Sequence, residues 1–135
     1  MECFKTFRKA PPSQLIMTLL VNNEEIMLEE NLLFHKAMGV DSFIITDNNS
    51  TDSTPEIIRK YKQKGWIKEV IEEKATDYEQ KEWVDRMIWK AKTIYKADWI
   101  INADADELWY SPSGNLKTDL SATHANVLNC EMRSV

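Results

Sequence analysis

The sequence predicts an α/β domain in which a mostly parallel sheet, with its strands in the order 3-2-1-4, is flanked by helices. Three observations predict this fold. Four short apolar runs alternate with segments of helical periodicity, which is typical of βαβ units. Three of these runs end in polar clusters. The length of 135 residues suits one domain with a hydrophobic core and requires no second domain.

The first strand is predicted over Leu15–Val21, a continuous apolar run. Either Asn22 or Asn23 is expected to cap the following helix, because Asn side chains accept hydrogen bonds from free N–H groups. Gly39 is the expected C-cap of that helix. The apolar face of the helix comprises Ile26, Leu28, Leu32, Leu33 and Ala37.

The second strand is predicted over Ser42–Thr46 and is followed by a polar stretch. Thr54 and Pro55 then indicate the N-cap and first position of a helix, since proline at this position loses no hydrogen bond. We expect this helix to run to about Lys64 and to be closed by Gly65.

The third and fourth strands are predicted over Trp66–Ile71 and Asp98–Ala103, with a helix over Thr76–Lys96 between them. A stripe at helical spacing predicts this helix: Trp83, Met87, Ala91 and Tyr95. Four tryptophans are expected in the core: Trp83, Trp89, Trp99 and Trp109. After Tyr110 the sequence predicts a turn at Ser111–Gly114 and a further strand within Ala125–Val135.

We expect residues 1–14 to be a frayed leader and residues 15–135 to form a partial domain that stops within its fold. The leader mixes aromatic and basic residues, Phe4, Lys5, Phe7, Arg8 and Lys9. It lacks the apolar segment and cleavage site of a secretory signal. The alternative for this leader is a membrane-surface anchor, which would give peripheral membrane association.

The composition of the chain argues against some classes of partner and favours one cellular compartment. The net charge of −5 argues against nucleic acid as a partner, because a protein that binds phosphate backbones normally carries a basic face. Cys3 and Cys130 are far apart and have no metal-ligand spacing, so we predict neither a zinc site nor a disulfide framework. No apolar run approaches the roughly 20 residues of a membrane helix. We therefore predict a cytoplasmic protein with no transmembrane segment.

Three polar clusters follow the first, second and fourth strands, at residues 22–24, 47–52 and 104–107. In a right-handed parallel sheet these clusters emerge at one edge. Open α/β sheets bind ligands in the crevice at this edge where the strand order reverses, which lies here between the first and fourth strands. The sequence therefore predicts a nucleotide-type pocket.

The acidic pair Asp104 and Asp106 predicts that this pocket binds a phosphate group through a metal ion. The chain has three glycines and neither of the glycine-rich phosphate motifs, GxGxxG or GxxxxGK[ST]. Side chains repeat their direction every two residues along a strand, so the two aspartates can face one hard cation. A divalent metal held there can bridge the protein to a diphosphate.

The ordered set of motifs resembles family-2-like glycosyltransferases with the Rossmann-like GT-A fold, in the nucleotide-diphospho-sugar transferase superfamily. The resemblance covers about Leu15 to Tyr110 and rests on residues 19–24, 34–40, 47–52 and 99–107. It implies an enzyme that transfers a sugar from a nucleotide-diphosphate sugar, with a UDP-sugar preferred, to a hydroxyl of a saccharide or another acceptor. It also implies inversion at the anomeric carbon.

The resemblance assigns roles to particular residues. Asp104 and Asp106 form a DxD motif around Mn²⁺ or Mg²⁺, with Asp104 also contacting the donor. The Asp47 and Asn48 region contacts the base or ribose, and the remaining donor-binding candidates are Asn23 and Glu24. In such enzymes the base that activates the acceptor lies after the DxD region. We therefore assign no catalytic residue and expect the base beyond Val135.

Other functions stay open from the sequence. One alternative is a nucleotidyltransferase on a similar sheet, and another is a non-catalytic nucleotide- or metal-binding module. Structural roles also compete with ligand roles. Asp47 and Asn48 are good turn formers, and Asp52 suits a helix N-terminus. The structural alternative for Asn23 and Glu24 is a helix cap, and Glu107 is either a neighbour of the metal or a cap. We expect His35 in the core rather than at a ligand, and Arg86 in solvent rather than at a phosphate.

Overall fold

The computed structural model describes residues 2–5, 14–122 and 127–129. The six strands are β1 (Glu2–Lys5), β2 (Leu15–Val21), β3 (Ser42–Asn48), β4 (Ile67–Glu73), β5 (Trp99–Asp104) and β6 (Val127–Asn129). The four helices are α1 (Leu28–Ala37), α2 (Thr54–Gln63), α3 (Gln80–Thr93) and α4 (Leu116–Ser121).

The strands form one sheet in the order β4-β3-β2-β5-β1-β6. The strands β4, β3, β2 and β5 run parallel, and Met17 on β2 lies between Phe43 on β3 and Ile101 on β5. These are the four strands predicted from the sequence, so the predicted order 3-2-1-4 is confirmed. The parallel direction brings the carboxyl ends of all four strands to one edge of the sheet.

The described part of the expected frayed leader differs from that expectation. Residues 2–5 form β1, which pairs antiparallel with β5 and β6 and places Cys3 opposite Ile101 and Leu128. Pairing satisfies main-chain groups that β5 would otherwise expose at the edge of the parallel sheet. Residues 6–13 lie outside the described residues, and the domain boundary at residue 15 stays a prediction. Of the strand predicted within 125–135, the structure describes β6 alone.

Side-chain alternation along β2 divides the core into two layers. Leu15, Met17 and Leu19 are buried in the larger layer together with Leu28 of α1 and Ile58 of α2. On the opposite face of the sheet, a smaller layer packs against α3 and contains Ile16, Ile44, Met87, Ala91, Ala97 and Ile100. The sheet is therefore covered by helices on both faces, as its continuous apolar strands require.

Trp89 was expected in the core, but its side chain on α3 is 59% exposed, whereas Trp83, Trp99 and Trp109 are buried. Trp89 does not share the buried face of α3, which Trp83, Met87 and Ala91 occupy. Within the part of the chain that the structure describes, no helix has the length and apolar character needed to cross a membrane. The cytoplasmic location stays a prediction.

The helix α4 was not predicted, and the side chain of Asn115 caps its N-terminus. The Asn115 Oδ1 atom accepts hydrogen bonds from the main-chain N–H groups of Lys117 at 2.8 Å and Thr118 at 3.4 Å. The turn at Gly39 lies against this cap, and the main-chain oxygen of Met38 accepts from Leu116 N at 2.7 Å. The end of α1 and the start of α4 therefore stabilise each other.

Replacing Gly39 by alanine should destabilise the domain more than the same change at Gly65. Gly39 has φ of +100°, and an added Cβ would lie 2.5 Å from Asn115 Oδ1, whereas Gly65, with φ of +81°, has open space around it. We expect a loss of about 3 kcal/mol for Gly39→Ala, from backbone strain and displacement of the cap. Gly65→Ala, the control, should cost about 1 kcal/mol from strain alone. Urea unfolding measures both, and equal losses would contradict the role of the contact with Asn115.

Candidate functional site

A cavity of about 330 Å³ opens at the carboxyl edge of the parallel strands. The ends of β2, β3 and β5 and the first turn of α3 supply its walls. Its lining residues are Leu20, Val21, Asn22, Glu24, Asn48, Gln80, Trp83, Asp104 and Asp106. The predicted pocket therefore has a physical counterpart, and four of the six predicted site residues line it: Glu24, Asn48, Asp104 and Asp106.

The acidic loop, which we define as residues 104–109, begins at the end of β5. Asp104 is the last strand residue, and a turn follows in which Glu107 N donates to the Asp104 main-chain oxygen at 3.0 Å. Glu107 Oε1 accepts from Asp104 N at 3.3 Å and closes the turn from its other side. Asp104 and Asp106 are both exposed to the cavity, while Ala105 between them is buried. The two aspartates share the cavity because of this turn, not because the strand continues.

Negative charge accumulates around the cavity. Desolvation raises the pKa of the Glu24 carboxyl, and the charges of Asp106 and Asp104 raise this pKa further. Burial likewise raises the pKa of Glu107, and neighbouring Asp104 adds to the effect. Among the described residues, Glu107 Oε2 is buried without a hydrogen-bond partner. Burial is the largest cause of both shifts and the neighbouring carboxylates add to it, so a bound cation would relieve part of this electrostatic cost.

The described residues contain no group of three or more His, Cys, Asp or Glu side chains that could hold a metal ion. A metal placed at Asp104 and Asp106 would therefore need further oxygen ligands from outside this carboxylate pair. Phosphate oxygens and water are ligands of the kind that Mg²⁺ takes at nucleotide sites.

Asn23 joins two loops instead of capping α1. Its Oδ1 accepts from Thr51 N at 2.7 Å and from Asp52 N at 3.3 Å, and its own N–H donates to Ser50 Oγ at 2.9 Å. Its φ of +52° turns the chain away from a helical path. Consequently α1 begins later than predicted, at Leu28, with no side-chain cap. Asn23 does not line the cavity, so its role in the site is to hold the two loops together.

Asp47 and Asn48, predicted as neighbours in the donor site, have different surroundings. Asp47 Oδ1 accepts from Ser50 N at 3.2 Å and forms a local turn, and Asp47 does not line the cavity. Asn48 does line it, and its Nδ2 donates to the main-chain oxygens of Glu73 and Ala75, both at 3.0 Å. Because both amide hydrogens are used in this way, Asn48 presents its Oδ1 as the free polar atom.

Asp52 has a structural role at the start of α2, which was the alternative to a role in ligand binding. Its Oδ1 accepts from Thr54 N at 2.8 Å, and its Oδ2 accepts from Glu25 N at 3.2 Å. Desolvation acts to raise the pKa of Asp52, but the hydrogen bonds from Thr54 and Glu25 outweigh it and lower that pKa. Thr54, predicted as the N-cap, is the first residue of α2, so this helix begins one residue earlier than predicted. The Thr54 Oγ1 atom accepts from Glu24 N at 2.8 Å.

Two fully buried polar residues on α1, Asn31 and His35, contact the acidic loop from inside the core. Asn31 Nδ2 donates to the main-chain oxygens of Ala105 at 2.9 Å and Glu107 at 3.0 Å, with that of Asp104 at 3.4 Å. Trp109 N donates to His35 Nε2 at 2.9 Å, so the imidazole proton lies on Nδ1 and is donated to Asn31 Oδ1 at 3.0 Å. Burial lowers the pKa of His35 to about 4.

Sequence reasoning missed several residues of the site. Asn22 belonged to the polar cluster expected at this edge, but its only assigned role was a possible helix cap. It lines the cavity, and its Nδ2 donates to the Asn48 main-chain oxygen. Gln80 and Trp83 reach the cavity because α3 starts beside it. Asn31 carried one signal, a polar residue on the apolar face of a predicted helix. Arg86, considered for solvent or a phosphate, pairs with Glu73 at 2.7 Å.

The neutral state of His35 predicts how stability depends on pH. The folded pKa of about 4 lies below the ordinary value of 6.5, so the unfolded chain takes up this proton first as pH falls. The stability that neutral His35 contributes should be intact above pH 6.5 and should decrease towards pH 4, by at most about 3 kcal/mol. Urea unfolding from pH 7.5 to 5 should show this decrease, and His35→Gln, which has no titrating ring, should reduce its slope. An identical slope in the variant would contradict burial of the neutral ring.

Comparison with solved structures identifies proteins of the same fold. S. aureus TarS has a TM-score of 0.65 and 17% identity, covering 81% of this chain and 19% of its own. TarS 1-349 in complex with UDP has a TM-score of 0.63, 18% identity, and coverage of 81% and 31%. The mannosyltransferase PcManGT from Pyrobaculum calidifontis, in complex with GDP-Man and Mn²⁺, has a TM-score of 0.52, 20% identity, and coverage of 73% and 29%. The chain thus spans between a fifth and a third of these proteins, and identities this low show the fold alone.

The sequence itself supplies the family. No curated protein matches the chain significantly. Residues 16–128 match the family model of glycosyltransferase family 92. The resemblance to glycosyltransferases with a GT-A-like fold is therefore confirmed, but the matching family is 92 and not family 2. This chain belongs to glycosyltransferase family 92.

Proposed function

We propose that this chain is the donor-binding part of a metal-dependent glycosyltransferase, which transfers a sugar from a nucleotide-diphosphate sugar to an acceptor hydroxyl. The observation that carries the proposal is the shared cavity of Asp104, Asp106 and Asn48 at the carboxyl edge of the parallel strands. Membership of a glycosyltransferase family supports this function. So do the fold neighbours that bind UDP, or GDP-Man with Mn²⁺.

The spacing of the strands suits a nucleoside diphosphate. Asn48 ends β3 and Asp104 ends β5, with β2 between them. Two steps between neighbouring strands separate these ends by about 10 Å. A nucleoside near Asn48 can therefore extend its diphosphate towards the acidic loop. Direct donor contacts are assigned to Glu24, Asn48 and Asp104, whereas Asn23 and Asp47 hold the loops that carry them.

The residues present fit a hard divalent cation. Asp104 and Asp106 offer exposed carboxylate oxygens, the ligand type that Mg²⁺ and Mn²⁺ take, and a third carboxyl, that of Glu24, lines the same cavity. These two aspartates would hold the ion. When bound there, the ion would neutralise negative charge on the departing diphosphate.

The residues of the chain itself bind and orient the donor. The Asn48 Oδ1 atom can accept a hydrogen bond from a base or a ribose hydroxyl, which orients the nucleoside. Trp83 is buried and supplies an apolar part of the cavity wall. We assign no cavity residue to deprotonation of the acceptor hydroxyl. A UDP-sugar donor, a saccharide acceptor and inversion at the anomeric carbon belong to this proposal.

Replacing Asp106 by asparagine should weaken Mn²⁺-dependent binding of UDP by at least about tenfold, since asparagine keeps the shape but loses the charge that holds the cation. Asp104→Asn should have an effect in the same direction. Both side chains are exposed, so folding should be unchanged. Isothermal titration calorimetry with UDP, with and without Mn²⁺, measures the effect.

The control is Asp85→Asn on α3, an exposed aspartate that pairs with Lys81 and does not line the cavity. It should bind UDP as the unmodified chain does. Unchanged UDP affinity in Asp106→Asn would overturn the role of the acidic pair. Binding of nucleoside triphosphates without binding of UDP-sugars would favour the nucleotidyltransferase alternative.

A further inference from the structure

We propose that Asn31 and His35 are positioning residues that hold the acidic loop from inside the core and thereby set the affinity of the cavity for a metal–nucleotide complex. We call this pair the α1 clamp. The inference rests on the proposed function, because it concerns the affinity of that same site. Neither residue lines the cavity, so both act through the loop.

Asn31 fixes the main chain on both sides of Asp106. Its amide nitrogen donates to the main-chain oxygens of Ala105 at 2.9 Å and Glu107 at 3.0 Å. A side-chain amide has two hydrogens, and these two short bonds use both. With the oxygens of residues 105 and 107 drawn towards α1, the side chain of Asp106 is left on the outer side, in the cavity.

His35 fixes the orientation of the Asn31 amide and the far end of the loop. Its Nδ1 donates to Asn31 Oδ1, which keeps the amide nitrogen pointing at the loop, and its Nε2 accepts from Trp109 N. The loop is therefore held at residues 105, 107 and 109. Rotation of either side chain would break hydrogen bonds at both ends of the clamp.

The polar character of the clamp is itself evidence for this role. Both residues are fully buried on a helix whose buried neighbours include Leu28 and Leu32. Burial of polar groups is unfavourable unless they are hydrogen-bonded, and a pair of apolar residues could pack there without this cost. Apart from the hydrogen bond between Asn31 and His35, the side-chain hydrogen bonds of both residues join them to the acidic loop.

The placement of the carboxylates is the property that a metal site needs. A site held within about 0.5 Å of its productive geometry binds well, whereas a loop that is free to shift by 1 Å loses much of its affinity. Asp104 and Asp106 are exposed and share the cavity with the Glu24 carboxyl, so like charges lie close together there. The clamp holds the loop in place from the core side.

The test compares Asn31→Ala with Leu32→Ala, a matched control on the same helix. Leu32 is fully buried in the larger core layer, so its truncation should destabilise the fold at least as much, by about 3 kcal/mol. The Leu32 side chain is apolar and therefore makes no hydrogen bond to the loop. UDP binding with Mn²⁺ is measured by calorimetry at a temperature where circular dichroism shows each variant to be folded.

We expect Asn31→Ala to weaken Mn²⁺-dependent UDP binding by at least about tenfold, while Leu32→Ala stays within about twofold of the unmodified chain. His35→Gln, which keeps a donor and an acceptor, should lie between them and provides the measurement if Asn31→Ala does not fold. Equal affinity in the clamp variants and in Leu32→Ala would overturn the proposal.

Hydrogen exchange distinguishes a failure of the clamp proposal from a failure of the proposed function. If the unmodified chain binds no UDP with Mn²⁺, the proposed function fails, and hydrogen exchange of the Trp109 amide decides whether the clamp holds the loop. Faster exchange in Asn31→Ala than in Leu32→Ala supports the clamp. The same exchange rate in both variants overturns it.

Discussion

The structure depends on one constraint, the central position of β2 between two parallel partners. Because β3 and β5 both pair with β2 in the same direction, the loops that follow these three strands emerge side by side. The cavity lies where they meet, and a residue at or just after the end of each strand lines it: Glu24, Asn48 and Asp104. Residues far apart in the sequence thus become neighbours through the sheet alone. The helices on both faces supply the buried area that keeps this arrangement stable.

Two polar networks give the loops fixed positions. The loops after β2 and β3 are joined by the side chain of Asn23, which accepts two main-chain hydrogen bonds from the other loop. The acidic loop is held by Asn31 and His35, both buried in the core. Repulsion among the carboxylates works against this order, and it adds to burial, the larger cause, in raising the pKa of Glu24. A site built in this way concentrates negative charge at a fixed place, which favours a divalent cation and its phosphate ligand.

The sequence predicted the four parallel strands and the acidic pair, because apolar runs and the polar residues after them are local features. It did not predict what depends on distant partners. The start of α1 differed, since Asn23 bonds to a loop about 28 residues away. Trp89 was placed in the core, although it lies outside the buried stripe of α3. The pairing of residues 2–5 with β5 and the contacts of Asn31 with the acidic loop likewise required the folded chain.

The proposed function requires the acidic loop to hold a divalent cation together with a nucleoside diphosphate. Paramagnetic Mn²⁺ broadens the amide signals of nearby residues, so a ¹⁵N correlation spectrum recorded with UDP and increasing Mn²⁺ locates the ion. We expect broadening to begin at residues 104–107 and at Glu24 and to spare the helix α4. Broadening centred elsewhere, or the same pattern in Asp106→Asn, would contradict a cation held by the acidic loop.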